Sequence, residues 1–233
     1  MKVANPISDL ISVPLQSNYD CCYGPEDASR YTLNVQPVIP LRLSDDMRLI
    51  TRTIIPFISQ GETVAGQGGV TGFGDVTQSF FFSPTHAPPG LILGAGPVLL
   101  WPIGKAELGT EKFGAGPTVL IARQASGTTM GLLANQIWSY AGDASRADVS
   151  LMTLQPFLSH TLPDTTSFTL NSETTYDWHA DQWTVPINFM VGHLFKAGEQ
   201  RFNLQGGVRY YAERPDGGPE WGLRLAVTLL FPE

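Results

Sequence analysis

The closing stretch WGLRLAVTLLF, residues 221–231, alternates large apolar side chains with small or polar ones without interruption. Trp221, Leu223, Leu225, Val227, Leu229 and Phe231 fall on one face, and Gly222, Arg224, Ala226 and Thr228 on the other. A period of two is the signature of a β-strand with two unlike faces. The same alternation runs through RFNLQGGVRYYAE and SFTLNSETTYDW, while helical periodicity is nearly absent. It predicts strands near 10–23, 31–43, 47–59, 73–84, 91–103, 112–124, 128–141, 148–161, 166–178, 182–196, 200–213 and 219–231. Strands of soluble proteins average about 5–6 residues, whereas a tilted strand crossing a bilayer needs about 9–11. Segments this long are out of scale for a sandwich and in scale for a membrane wall.

The connections alternate as well. SDD, PTHAPP, SG, PDT and GEQ are mostly short, whereas GPEDAS, QGETVAGQGGVTG, KAELGTE, GDASRA, HAD and RPDGGP are mostly longer and richer in Gly and Asp. Short turns at one end and long loops at the other describe an all-β, antiparallel up-and-down transmembrane barrel of about 12 strands, with both termini in the periplasm. Followed along this meander, Trp101, Trp138, Trp178, Trp183 and Trp221 all fall at the long-loop ends. Tyr31, Tyr140, Tyr176 and Tyr210 join them, and Phe82, Phe157, Phe168, Phe195, Phe202 and Phe231 collect at the turn ends. Two aromatic girdles are what a barrel in lipid requires, because amphipathic rings prefer the headgroup level.

Charge supports this. Only 15% of the 233 residues are charged, against about 25% in soluble domains, so something other than Lys and Glu covers the outside. A net charge of −7 argues against nucleic acid as a partner. The expected partners are outer-membrane lipids, small-molecule solutes and, through the C-terminal strand, the barrel-assembly machinery. MKVANPISDL lacks the apolar core of a signal peptide, so either the protein is cytoplasmic or, as an outer-membrane location requires, its leader lies outside the chain shown. Residues 1–9 are read as a periplasmic segment suited to plug the mouth, and 10–233 as the barrel. Cys21 and Cys22 are adjacent and cannot join distant segments.

Prolines recur inside the strands, although proline offers no N–H to a ladder. Parity places Pro37, Pro97, Pro117 and Pro156 on the lipid face and Pro14, Pro40, Pro56 and Pro186 on the lumen face, with local bulges expected.

On these residues the chain resembles a known family: the bacterial outer-membrane transporter-like proteins of the MetA pathway of phenol degradation. The stretches that carry the likeness are NPISDLISVPLQSN (5–18), NVQPVIPL (34–41), LITRTIIPFISQ (49–60), GFGD (72–75), GAGP at 94–97 and 114–117, LANQIWS (133–139), LQPF (154–157), WTVP (183–186) and the terminal LRLAVTLLFP. The resemblance implies an outer-membrane barrel that takes up small, often aromatic, compounds, and it carries over no catalytic or binding residue.

No nucleophile elbow or phosphate-loop spacing is present, so no enzyme activity and no cofactor are expected. Asp177, His179 and Asp181 form a local cluster that reads as a solvated loop, not a metal site. The lumen is more informative. Parity points Arg42, Arg48, Arg52, Arg209 and Arg224 inward along one arc, with Glu213 an acidic exception on it. Asp75, Glu173 and Asp177 line the rest. An arginine facing lipid at mid-membrane costs about 2–4 kcal/mol, which decides for Arg48 and Arg52 inside. Two readings stay open: a field across a narrow pore, or ion pairs that fill an occluded, structural or lipid-binding barrel. A channel for small, aromatic or anionic solutes is the first expectation; a barrel hydrolase or a soluble lipocalin-like binder ranks lower. The loop QGETVAGQGGVTG is a candidate to fold inward and narrow the pore.

Overall fold

The computed structural model describes residues 11–231; the segment read as a plug lies outside the described residues. Fifteen assigned segments form one antiparallel sheet, and three pairs of them are halves of a single interrupted strand. The result is a closed barrel of 12 strands. In chain order these are β1 (Ile11–Tyr23), β2 (Ala28–Val35 and Val38–Arg42), β3 (Met47–Gln60), β4 (Val70–Phe73 and Val76–Pro84), β5 (Leu91–Trp101), β6 (Lys112–Ala125), β7 (Thr128–Gly142), β8 (Ser150–Thr161), β9 (Thr166–Ser172 and Thr174–Asp177), β10 (Gln182–Ala197), β11 (Gln200–Glu213) and β12 (Trp221–Phe231). Each strand pairs with the next, and β1 closes on β12 from Ile11↔Phe231 to Asp20↔Gly222. Closure leaves no unpaired edge, which a hydrocarbon environment would penalise heavily.

The turns follow their sequences. The β6–β7 connection is Ser126–Gly127, with φ of 49° and 79° at its two residues. Two successive positive φ values match the right-handed twist of a tight hairpin. At the opposite end, the loop Gly61–Gly69, a candidate to fold inward, is mostly exposed.

The eight strand prolines keep their expected faces, and several mark places where the ladder is already broken. Pro37 separates the halves of β2, and its carbonyl accepts the Thr53 N–H at 3.1 Å. Pro97 and Pro117 lie directly opposite each other, both exposed on the outer wall. Pro156 faces the interruption of β9, and Pro186 sits at the register shift between β10 and β11. A residue without an N–H costs least where no partner carbonyl awaits it.

The outer face holds the expected aromatics. Trp101, Trp138, Trp178, Trp183, Trp221 and Phe231 are all exposed. At the long-loop end, Tyr176 lies 4.7 Å from Trp178 and 4.6 Å from Trp183 between ring centroids; at the turn end, Phe195 stacks on Phe202 at 5.5 Å. Phe157 is a correction. Its height along the meander puts it in the turn-side aromatic ring, yet it is buried inside the barrel.

Phe157 belongs to a larger departure from a uniformly polar interior. Val38, Ile50, Phe81, Leu120, Ala122, Leu133 and Phe157 form one buried cluster, and Val98, Leu100 and Ile137 a second. Both lie on the inner face of the arc from β2 to β8. A barrel this narrow brings inner side chains of facing strands into contact, so apolar residues there pack against one another instead of meeting water. Gly131 makes room for this, because a Cβ at that position would stand 2.7 Å from the Phe157 ring.

Candidate functional site: a polar belt across the lumen

The remaining arc, β8 to β12 and on to β1, carries most of the polar interior. Its centre is Arg224 on β12. The guanidinium grips Glu173 with two hydrogen bonds, Nη1 to Oε1 at 2.7 Å and Nη2 to Oε2 at 2.9 Å. Its Nε donates to Asn18 Oδ1 on β1 at 2.7 Å. Asn188 on β10 donates to Glu173 Oε2 at 3.0 Å and to Asn171 Oδ1 at 2.8 Å. Glu173 stands between the two halves of β9, so this pair spans the barrel as a chord, skipping β10 and β11. The Arg224 side chain is 2% exposed, and a bidentate grip of this kind is the strong form of an ion pair.

A second chord starts on β3. Arg52 donates through Nη2 to Gln36 Oε1 at 2.9 Å and through Nη1 to Gln155 Oε1 on β8 at 3.4 Å. The register of β8 on β9 runs from Leu154↔Thr174 to Phe157↔Asn171, which sets Gln155 beside Glu173. The two chords therefore meet at the β8–β9 seam. Arg52, Gln155, Glu173 and Arg224 make one belt from β3 through β8 and β9 to β12.

Toward the loops lies a third pairing. Arg209 Nε sits 3.5 Å from Asp20 Oδ1, both groups are buried, and the guanidinium lies 5.4 Å from the centre of the Tyr211 ring. Tyr211 also hydrogen-bonds Asp20. Gly222 is required beside this pair: a Cβ there would run into the Asp20 carboxylate and lie 2.5 Å from the Tyr19 carbonyl oxygen. Toward the turns, the belt floors a cavity of about 160 Å³ lined by Ser12, Gln16, Ser159, Thr169, Asn203 and Gln205 among others.

The nine residues expected to line the lumen divide. Arg52, Glu173, Arg209 and Arg224 are brought into it by their strands, and Arg48 keeps inward parity on β3 opposite Ser83. Four serve elsewhere. Arg42 is the last residue of β2, beyond the wall, where it pairs with Asp45 and is 74% exposed. Glu213 is likewise exposed at the end of β11. Asp75 spends its carboxylate on the β5–β6 loop, accepting from Gly104 N at 3.1 Å and from Thr110 N and Oγ1 at 2.6 Å. Asp177 caps the β9–β10 loop through the N–H groups of His179 and Ala180. Inward parity at a strand end points over the rim, which is why Arg42, Asp177 and Glu213 missed; Asp75 missed because it sits in the interruption of β4, where the alternation breaks. The expected field between a basic and an acidic wall is also corrected, since Glu173 and Arg224 touch. Alternation had no means of singling out Asn18, Asp20, Gln36, Gln155 and Asn188: small polar side chains at inward positions were the only signal.

Adjacent Cys21 and Cys22 are joined as a disulfide at the loop end of β1, where Cys22 has a φ of 74° and the β1–β2 register shifts.

No family model and no curated protein matches the chain. Solved structures do. The COG4313 outer membrane channel from Pseudomonas putida F1 superposes with a TM-score of 0.73 at 17% identity, covering 98% of this chain and 97% of that one. The NanC porin superposes with a TM-score of 0.57 at 8% identity, over 95% of this chain and 100% of that one. The beta domain of the Bordetella autotransporter BrkA reaches 0.50 at 11% identity, over 95% and 100%. The fold is thus that of outer-membrane β-barrels, and at these identities it is the fold alone that is shared.

Proposed function

We propose that this protein is an outer-membrane channel for small solutes, held closed in the state described here by its polar belt. The observation that carries the reading is a closed 12-strand barrel, apolar outside, whose lumen is crossed, among the described residues, by side chains and not by backbone. Side chains can swing on the timescale of passage, whereas an inserted strand or helix cannot. Two of the solved structures of this shape are a channel and a porin, which supports the reading.

The solutes that suit the lumen are small and anionic or aromatic. Among the described residues Arg52 is bonded to two amide oxygens and to no carboxylate, so its charge is not cancelled by direct contact there. Opposite it, Phe157 and Val38 give the turn-side cavity an apolar wall. Guanidinium pairs with carboxylate or phenolate and stacks on rings. Planar-bilayer recording tests both parts. Glu173→Gln and Arg224→Ser should raise conductance several-fold, and Arg52→Ser should reduce anion preference. If both belt variants stay silent while retaining heat-modifiable mobility, the occluded structural barrel is correct instead; the filled lumen is the observation that favours that reading.

A further inference from the structure

A second concavity of the described residues is not in the lumen. It is a groove of about 690 Å³ on the outer wall, toward the turn end, walled by Ile121, Met130, Leu132, Leu158, Leu170 and Ile187. Its origin is local. Along the outward rows of β8 and β9, Pro156 and Ser172 stand where the flanking positions carry leucine and isoleucine. A flat ring and a short hydroxyl leave a trough between taller neighbours. The Ser172 hydroxyl is already bonded to Thr174 Oγ1 at 2.7 Å, so the floor makes no polar demand on an occupant. The volume lies within the roughly 300–1,000 Å³ range of small-molecule sites.

Arg123 stands at the turn-side rim of this groove, exposed, with Met130 opposite it on β7 and Leu91 opposite it on β5. No carboxylate pairs with it among the described residues. Asp164, on the β8–β9 turn, is engaged by Thr166 through its N–H and hydroxyl. A guanidinium at the end of an apolar trough, at the level where a strand leaves the hydrocarbon, matches one chemistry: an anionic phosphate above an acyl chain.

We infer that this groove is a binding site for one phospholipid, its acyl chain lying over Pro156 and Ser172 and its anionic headgroup held by Arg123. The inference rests on the outer-membrane reading and not on conduction. Bulk lipid tails are as apolar as the groove, so the apolar lining by itself selects nothing. Shape retains the chain, and charge chooses the headgroup.

The test is native mass spectrometry of the intact barrel released from detergent, with phosphatidylglycerol and phosphatidylethanolamine of identical chains added in equal amounts. Wild type should keep a single lipid, with phosphatidylglycerol favoured at least five-fold. Arg123→Gln should bring the ratio close to one while still retaining a lipid. Leu158→Trp, which fills the trough, should lose the bound lipid of either kind. An unchanged ratio in Arg123→Gln, or undiminished retention in Leu158→Trp, overturns the site. Insertion into liposomes and heat-modifiable mobility are read on the same samples, so failure of the barrel to enter a membrane is distinguished from failure of the groove to bind.

Discussion

The two halves of the lumen solve one problem with opposite chemistry. From β2 to β8 the inner face is mainly Val38, Ile50, Phe81, Leu120, Leu133 and Phe157 in mutual contact, crossed by the single polar chord of Gln36, Arg52 and Gln155. From β9 to β1 it is Asn171, Glu173, Asn188, Arg224 and Asn18 joined by hydrogen bonds. Both fill space, but they respond differently to loss. An apolar cluster that loses a ring keeps a cavity and gives up packing and transfer energy. A polar belt that loses one partner exposes the other as an unpaired group with few alternatives. The comparison teaches that stability and passage are separable here: the apolar half should govern the first, and the polar half the second.

The largest expected effect breaks the apolar half. Phe81 is fully buried, so Phe81→Ala should destabilise the barrel by about 3–5 kcal/mol, measured by reversible urea unfolding in lipid vesicles. Its ion selectivity should match wild type; a selectivity change would dissolve the proposed division of labour. Next is the belt. Glu173→Ala leaves the Arg224 guanidinium buried and unpaired, a class of change that costs about 3–5 kcal/mol. Because Glu173 is 27% exposed, water reaches the site and the lower end applies. Adding Arg224→Met to Glu173→Ala should recover part of the loss, a coupling that a double-mutant cycle reads directly. Purely additive losses would mean the two side chains do not act as a pair.

The smallest effect belongs to neither half. On the β7–β8 loop, Asp148 is held below the usual carboxylate range, chiefly by its hydrogen bond from Lys112 Nζ at 3.0 Å and then by the charge of that lysine. A depressed folded value stabilises above the ordinary carboxylate range, and the contribution is lost as pH falls through the folded value. Wild type should therefore lose slightly more thermal stability than Asp148→Asn as pH drops from about 5 to about 3, where carboxylates titrate. Parallel profiles would show that the pairing of exposed Asp148 with buried Lys112 contributes nothing.

Particular residues show how far the sequence could be read. Leu223 and Leu225 alternate with Gly222 and Arg224, and that alone fixes which face meets lipid, because the pleat sends successive side chains to opposite sides. The five tryptophans mark one end of the barrel for the same reason: once the meander is counted out, each falls at a long-loop end. Alternation also placed Arg52, Arg209 and Arg224 inside. It failed for Arg42 and Glu213, since parity names a side of the wall but not whether any wall remains at that height. For Phe157 parity, which turns it inward beside outward Pro156, was right, and its height at the turn side, where girdle aromatics collect, misled.

Strand number, closure, the outward face and the aromatic girdle were thus set by short-range pattern, which every few residues repeats and reinforces. The partnership of Glu173 with Arg224 and the meeting of Arg52 with Gln155 were decided only when the sheet closed on itself. Those residues lie 51 and 103 positions apart on strands that are not neighbours. No local periodicity encodes a distance across a barrel; curvature and register bring such groups within hydrogen-bonding reach, and they exist only in the closed wall.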